Sequence, residues 1–526
     1  MDHKKNLIVL TIFFTILSLV FWGKTGNILV DFSREIYIPQ QMNLENKLIK
    51  DIFLIYGPFG YIVNSIICKV SANVNLLILE AHLISYSILI LTYAILNKFF
   101  TRKVSFIFAI IFLIVSIFSY STFSFVLPYS YSTLWGILGI YATLAALLYN
   151  KKNIAFFALG LISINKIELF IPTFATTIIY LVYKKENFLK DFLYIFIFPI
   201  IPLIYLLFSQ IKPDEIIRNF ELIKKMVSTN SIKTLYQGMG CFFEINYFKY
   251  NLIEIVKLIL ICTTSYLFWF IKKPTYSYSI AILGLAFINN NFCLNLIAFF
   301  AIFLTILSLN KRQIAKEEIL LFLFSLILCS KALFAVNALN YSNFGYCLII
   351  YYTFLQLQKY VNTRWLINIL LIFFTFSIID KTTYTFTNLK YPTKTEIGTF
   401  WLDEKNVNLF SATNAFIKKH IKQEESFIVV PEGQIFNAIH KKNYKFLNST
   451  FTPLDFETFG EKNIIKQLKS NKTDYIIFYP RNTKDYGAQT ICYDYGVDFC
   501  HYIIDNYTRV GTLEDNYTTL IFKIKK

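Results

Sequence analysis

Charge is in short supply. Lys, Arg, Asp and Glu make up 16% of the 526 residues, whereas a soluble chain carries about a quarter of its residues charged to cover its surface. An ordinary soluble enzyme is therefore excluded. Glycine is scarce as well, at 17 residues, which removes collagen, and the apolar content is far too high for disorder or a coiled coil. There is no internal repeat and no Pro- or Ser-rich linker. The histidines (His3, His82, His420, His440, His501) and the cysteines have none of the spacings of a zinc site. Cys68, Cys241, Cys262, Cys293, Cys329 and Cys347 fall in or beside apolar runs, where a lone thiol acts as a small apolar filler. Cys492 and Cys500 alone stand in polar sequence, eight positions apart, and a disulfide between them is open in an oxidising compartment.

What the chain has is apolar surface. Hydrophobic residues make up 56%, with 55 Phe, and the mean hydropathy is +0.51. Apolar runs fall at 6–22, 75–97, 104–120, 131–149, 154–164, 168–183, 192–208, 251–271, 276–288, 292–309, 319–336, 344–358 and 365–380. That predicts an α-helical polytopic membrane protein with about thirteen transmembrane helices, several of them short of the roughly 20 residues that cross a bilayer and so broken or tilted. The first run follows Asp2-His-Lys-Lys5 with no small-residue cleavage site after it, and reads as a retained helix.

The net charge of +18 has its explanation in the loops rather than in nucleic acid. Lys98/Arg102/Lys103, Lys151/Lys152, Lys184/Lys185/Lys190, Lys272/Lys273, Lys311/Arg312/Lys316 and Lys359/Arg364 occupy alternate connections. The short loops near 121–130, 289–291 and 337–343 carry no Lys or Arg, and the turn near 164–168 carries only Lys166. Basic loops stay in the cytoplasm. The N-terminus is expected inside, the C-terminus outside, and the chain in the cytoplasmic membrane.

Three segments are too polar to span, and all fall on the outer side: 23–73, 209–250 and the tail. The expected division is a membrane domain over 1–380 and a small extracytoplasmic α/β domain over 381–526. In the tail, Asn408–Lys422 reads as an amphipathic helix, Phe427–Val430 as a buried strand closed by Pro431-Glu-Gly433, and Lys462–Lys469 as a helix. Asp474–Tyr479 and Thr518–Ile524 read as strands.

The first outer loop has the most chemistry: Asp31-Phe-Ser-Arg34-Glu35-Ile-Tyr37-Ile-Pro39, then Lys50-Asp51, then Tyr56-Gly57-Pro58. In a helix, Asp31 and Glu35 share a face one turn apart beside Arg34. Two carboxylates next to a cation suit a general base and its orienting partner; a helix start capped by Asp31 explains the same spacing. Lys166 and Glu168, two apart in a very short turn, would diverge by roughly 200° on a continuous helix, so a backbone break is expected there. Charges at such depth face a cavity, a partner or the aqueous interface. Tyr129 and Tyr131 beside Pro128, and Arg218 in the second loop, are candidate contacts for a sugar and an anionic headgroup. Glu80, His82 and Lys331 near helix ends would snorkel or pair internally.

The string from Asp31 to Pro39, with Asp51 and Tyr56-Gly57-Pro58, resembles the GT-C superfamily of membrane glycosyltransferases. The likeness is to its bacterial branch, related to protein O-mannosyltransferases and the lipid A aminoarabinose transferase. Pro128-Tyr-Ser-Tyr-Ser132 and Asn165-Lys166-Ile167-Glu168 add to it. The resemblance implies transfer of a sugar from a polyprenyl-phosphate-linked donor to an envelope lipid, glycan or protein, with Asp31 as the base and Glu35 or Asp51 assisting. Arg34, Tyr56, Tyr129, Tyr131, Lys166, Glu168 and Arg218 are the expected substrate contacts on that reading. Residues 120–131 lack the second acidic motif of some members, so no metal ligands are assigned and a divalent cation stays open. The rival readings are a transporter or flippase, which usually has two matching halves, a non-catalytic scaffold displaying the tail, and a ligase or polymerase of lipid-linked saccharides.

Overall fold

The computed structural model describes residues 3–24, 28–44, 46–118, 130–184, 193–238, 245–287, 290–310, 314–328, 346–372, 375, 389–443, 446–515 and 517–525. It is mostly helical, at 69%. The chain opens with α1 (His3–Val20), α2 (Asp31–Asn43), α3 (Phe59–Val70), α4 (Val74–Leu96), α5 (Arg102–Phe118), α6 (Tyr131–Leu148), α7 (Lys152–Ser163) and α8 (Ile167–Lys184). It continues through α9 (Ile200–Ser209), α10 (Pro213–Val227), α11 (Asn230–Gly238), α12 (Ile245–Phe270), α13 (Pro274–Ala286) and α14 (Asn290–Asn310). Then follow α15 (Lys316–Leu328), α16 (Tyr346–Leu357) and α17 (Thr363–Ile372).

Among the described residues, five helices are long and apolar enough to cross a membrane: α1, α4, α6, α8 and Leu252–Phe270 within α12. A sixth results if Tyr194–Ser209 and Pro213–Val227, bent by 110°, are taken as one. Other apolar helices, α3, α7 and α17 among them, are shorter. Within the described residues the expected apolar runs coincide with helical segments; Lys331 and the end of the run 319–336 lie outside them.

The helices carry apolar side chains outward as well as inward. On α12, Leu252, Ile253, Ile259, Leu260, Leu267 and Phe270 are exposed, a band wider than a water-facing surface carries. Inside, hydroxyls are satisfied along their own helices: Thr92, Thr143, Thr173, Thr177, Ser325 and Thr353 each donate to the carbonyl four residues earlier. Gly139 of α6 lets Ile162 of α7 approach closely. The Trp365 indole meets the Ser265 and Ser277 hydroxyls at 3.2 Å each.

Helix α6 runs between two groups of polar contacts. Its first turn touches the 164–168 turn, where Lys166 Nζ donates to Thr133 Oγ1 (3.2 Å). Just past its other end, Tyr149 lies under Lys98, with Nζ 4.1 Å from the ring centroid. Lys184 Nζ donates to Asn150 Oδ1 (2.7 Å) and Lys316 Nζ to the Lys184 carbonyl (3.4 Å) at that same end. Eighteen residues separate the two ends, about 27 Å at 1.5 Å per residue.

The tail begins with a hairpin, β1 (Tyr391–Thr395) and β2 (Gly398–Leu402), followed by α18 (Glu404–His420). Next come β3 (Phe427–Val430), α19 (Gln434–Ile439), α20 (Pro453–Phe459), α21 (Glu461–Asn471), β4 (Tyr475–Phe478), α22 (Val497–Asn506), β5 (Tyr507–Asp515) and β6 (Tyr517–Ile524). The sheet order is β3-β4-β6-β5, with β3 and β4 parallel and the other pairs antiparallel. Parallel strands are covered on both faces, which is why Phe427–Val430 is unbroken apolar sequence and fully buried. Cys492 and Cys500 form a disulfide, with Cα atoms 5.4 Å apart. The helices and strands expected at 408–422, 427–430, 462–469, 474–479 and 518–524 are present within a few residues, whereas the hairpin, α19, α20, α22 and β5 are additions. The expected boundary at 380/381 falls outside the described residues.

The tail rests on the segment between α1 and α4. The Val74 amide donates to the Ile397 carbonyl (2.7 Å) and the Phe53 amide to the Leu447 carbonyl (2.9 Å). The Gln41 amide donates to the Lys442 carbonyl (2.9 Å), and the Ser33 hydroxyl to Gln434 Oε1 (3.3 Å). Lys442 is itself fixed, its ammonium donating to the carbonyls of Lys422, Gln423 and Glu425. From another side α10 clamps the same segment: Asn219 accepts from the Leu54 amide (3.1 Å) and donates to its carbonyl (2.9 Å).

Asp455 starts α20, accepting from the Thr452 amide (2.9 Å) and hydroxyl (2.7 Å) and from the Thr450 hydroxyl. Burial pushes its carboxyl up to about 6 from an ordinary 3.8, against the lowering effect of those bonds. The folded value lies above the unfolded one, so the stability this group contributes is fully present below 3.8 and is lost as pH rises through about 6. Tail stability should therefore fall across that window, by at most about 1.4 kcal/mol per pH unit for one proton, and Asp455→Asn should flatten the slope. Denaturant unfolding followed against pH, in wild type and variant, checks this.

Candidate active site

Three stretches distant in sequence meet between α2, α3 and α8. The loop before α3 pairs with the turn between α7 and α8: the Gly57 amide donates to the Asn165 carbonyl (2.7 Å) and the Phe59 amide to the Ile164 carbonyl (3.2 Å). Only glycine fits this approach, because a Cβ at position 57 would stand 2.3 Å from the Ile164 oxygen. The turn is held from its other side by the Asn165 side-chain amide, which donates to the Ser132 carbonyl (2.6 Å).

The backbone breaks where the spacing of Lys166 and Glu168 predicts. Helix α7 ends at Ser163 and α8 starts at Ile167, so Lys166 precedes the helix and its Nζ reaches Glu168 Oε1 at 3.1 Å. The Lys166 side chain is 7% exposed and that of Glu168 43%. The ammonium therefore sits inside while its partner carboxylate opens outward.

The ring of Tyr56 joins this turn to α2. Arg34 Cζ lies 5.2 Å from its centroid and Lys166 Nζ 5.0 Å, both within range of a cation–π attraction. Arg34 Nη2 is 3.9 Å from Glu35 Oε1, and Glu35 is fully buried. Asn64 donates to the Glu35 carbonyl (3.3 Å). Two cations thus flank one phenol ring, each with a carboxylate beside it.

The remaining candidates lie as follows. Asp31 is the first residue of α2, one turn before Glu35 on the backbone; its side chain is outside the described residues, as is Tyr129. Tyr131 is fully buried and donates to the Leu77 carbonyl (2.5 Å), joining α6 to α4. Asp51 and Arg218 converge on a second place, the turn 47–52. There Asp51 Oδ2 accepts from the Lys47 amide (2.9 Å), and Arg218 Nη2 donates to the Ile49 (3.1 Å) and Lys50 (2.8 Å) carbonyls. Thr133, Asn64 and Asn219 support the site without having been singled out from sequence. Thr133 stands beside the Pro128–Ser132 string and was the most accessible of them.

Glu80 and His82 of α4 form no ion pair with each other. Glu80 Oε1 accepts from the Trp135 indole (2.9 Å), and the His82 ring stacks on Trp22 at 5.0 Å. Glu80 and Trp135 line an apolar groove of about 410 Å³ together with Ile66, Val70, Leu79 and Leu83. Among the described residues no group of three His, Cys, Asp or Glu could hold a metal ion. No protein-family model matches the chain, and no curated protein matches it.

The 57/164 contact yields a direct expectation. Gly57→Ala should push the 164–166 turn away, destabilise the protein by about 2 kcal/mol or more and separate Tyr56 from Lys166. Thermal unfolding of the purified variant in detergent measures it, with unchanged stability as the contrary result.

Proposed function

We propose that the protein is a membrane glycosyltransferase that moves a sugar from a polyprenyl-phosphate-linked donor to a lipid, glycan or protein acceptor. The observation that carries this reading is the ring of Tyr56 with Arg34 and Lys166 both beside it. It brings the helix that starts at Asp31 and the 165–168 turn into one charged site. In the proposed step an acceptor hydroxyl attacks the anomeric carbon while Asp31 takes its proton. The new C–O bond forms as the bond to the lipid phosphate breaks, and the configuration inverts. The phosphate leaves as an anion, so it needs positive charge rather than an acid, and Lys166 and Arg34 supply it. Glu35 orients Arg34, and the buried setting of both strengthens these interactions.

Two further features support the reading. The apolar groove between α3, α4 and Trp135 of α6 has the lining to seat an isoprenoid chain. The proposed topology has thirteen spans, the N-terminus in the cytoplasm, and the site and tail outside. The gathering of Lys98, Lys184 and Lys316 at the end of α6 away from the site agrees with the retention of basic loops.

Arg218 and Asp51 take a different part in this proposal from the one first expected. Their bonds to the 47–52 turn make them supports of the loop that presents Tyr56.

Asp31→Asn should lower transfer from a labelled polyprenyl-phosphate sugar in proteoliposomes by at least about 100-fold, the usual weight of a general base, with expression and folding intact. Full activity of that variant would remove Asp31 as the base. Donor left unconsumed by the wild type with every acceptor would favour a transporter or scaffold.

A further inference from the structure

We infer that helix α10 lies flat on the membrane surface, on the side of the Tyr56 site, with one face set among phospholipid headgroups and the upper parts of their chains. Residues 194–209, which lead into it, carry no charge. Within them α9 turns Ile200, Leu203, Ile204, Leu207 and Phe208 outward and buries no residue, a surface that belongs in lipid. Helix α10 cannot follow it across. Asp214, Glu215, Arg218, Glu221, Lys224 and Lys225 are charged among its 15 residues, far beyond what a span tolerates. The two helices meet at a bend of 110°, so a helix leaving an α9 that crosses the bilayer runs nearly along the bilayer surface. The corner is built locally. Gln210 takes the left-handed conformation (φ 52°), Pro213 opens α10, and Glu215 Oε2 accepts from the Lys212 amide (2.9 Å).

At 3.6 residues per turn the helix divides into three faces. Asn219 and Met226 are buried, where α10 packs against α20 of the tail. Asp214, Arg218, Glu221 and Lys225 follow one another at spacings of three and four and make a charged, exposed face. On the third side Ile217, Phe220 and Val227 are exposed, and Lys224 completes their row at the same spacings. Large apolar side chains left open in a row mark a surface that meets lipid or protein. Two observations select lipid. The row follows directly on the apolar end of α9, where Leu207 and Phe208 are 78% and 85% exposed. Lys224 interrupts it as well: a protein partner would bury that ammonium, whereas at a bilayer edge its stem lies among the chains while its charge reaches the phosphates.

A lipid-seated α10 fixes two other parts of the molecule at headgroup level. Asn219 clasps Leu54, and Arg218 holds the Ile49 and Lys50 carbonyls, so the loop that presents Tyr56 is tied to this helix. Helix α11, which follows it, carries the tail: the Ser231 amide (3.2 Å) and hydroxyl (2.9 Å) both donate to the Glu457 carboxylate. The inference rests on α9 lying in the bilayer and not on the proposed transfer reaction.

The test uses the full chain in liposomes of phosphatidylethanolamine and phosphatidylglycerol. The photo-crosslinking residue benzoylphenylalanine replaces Phe220, Glu221 or Leu207 in turn, and mass spectrometry reads the adducts after irradiation. All three positions are exposed, so the core is left alone. Phospholipid adducts are expected at 220 and 207, and severalfold fewer at 221 on the charged face. Equal yields at 220 and 221, or no lipid adduct at 220, overturn the proposal. So does a crosslink from 220 to protein, which would put a second copy or another chain on this face. Absence of lipid adducts at 207 would take α9 out of the bilayer, and the proposal would fall with it.

Discussion

Two cations leaning on one phenol ring set the constraint from which the rest of the membrane part follows. Arg34 and Lys166 lie about equally far from Tyr56, and like charges brought that close repel unless each has an acid at hand. Glu35 and Glu168 supply these. Lys166 meets Glu168 only because the chain leaves one helix and starts another between Ser163 and Ile167. Besides the Lys166 amide's bond to the Ile162 carbonyl (2.9 Å), the turn so formed is held by groups outside its two helices. It is carried by Gly57 and Phe59 from one side and by Asn165 bonding to Ser132 from the other.

The first interhelical segment is therefore a structural hub. It faces the 164–168 turn with Tyr56, the tail with Ser33, Gln41 and Phe53, and α10 through Leu54 and the turn 47–52. A polar segment held on three sides has little freedom, and residues that work together in chemistry need that rigidity, because small misplacements are costly. Helix α2 is gripped along its length, from Ser33 to Gln41, beside the charged cluster.

The apolar helices and the principal tail strands were legible in the sequence because their signals are long or unbroken. Phe427–Val430 reads as a covered strand with no partner in view. The helix break at Lys166–Glu168 was legible too, since two charges two residues apart cannot share a helix face. The hairpin was not: Tyr391–Thr395 is mostly polar, and its buried positions answer to a neighbouring element rather than to a strict alternation. Helix α3 was absorbed into a polar loop because its twelve residues fall short of a span and include Asn64 and Ser65. Of the candidate residues, Arg34, Glu35, Tyr56, Lys166 and Glu168 come together. Arg218 and Asp51 bind main-chain groups of one turn instead, a role that residue type alone does not signal.

That last point extends to the joint between the two parts of the chain. Gln41 bonds to a carbonyl of Lys442, and Phe53 and Val74 donate their amides to carbonyls of the tail. A carbonyl is the same whichever amino acid bears it. At these contacts substitutions on the accepting side can thus accumulate without loosening the seam, while Gln41 and the side-chain pair Ser33–Gln434 are held. Paired substitutions across this boundary should accordingly be few, and its two faces can drift at different speeds.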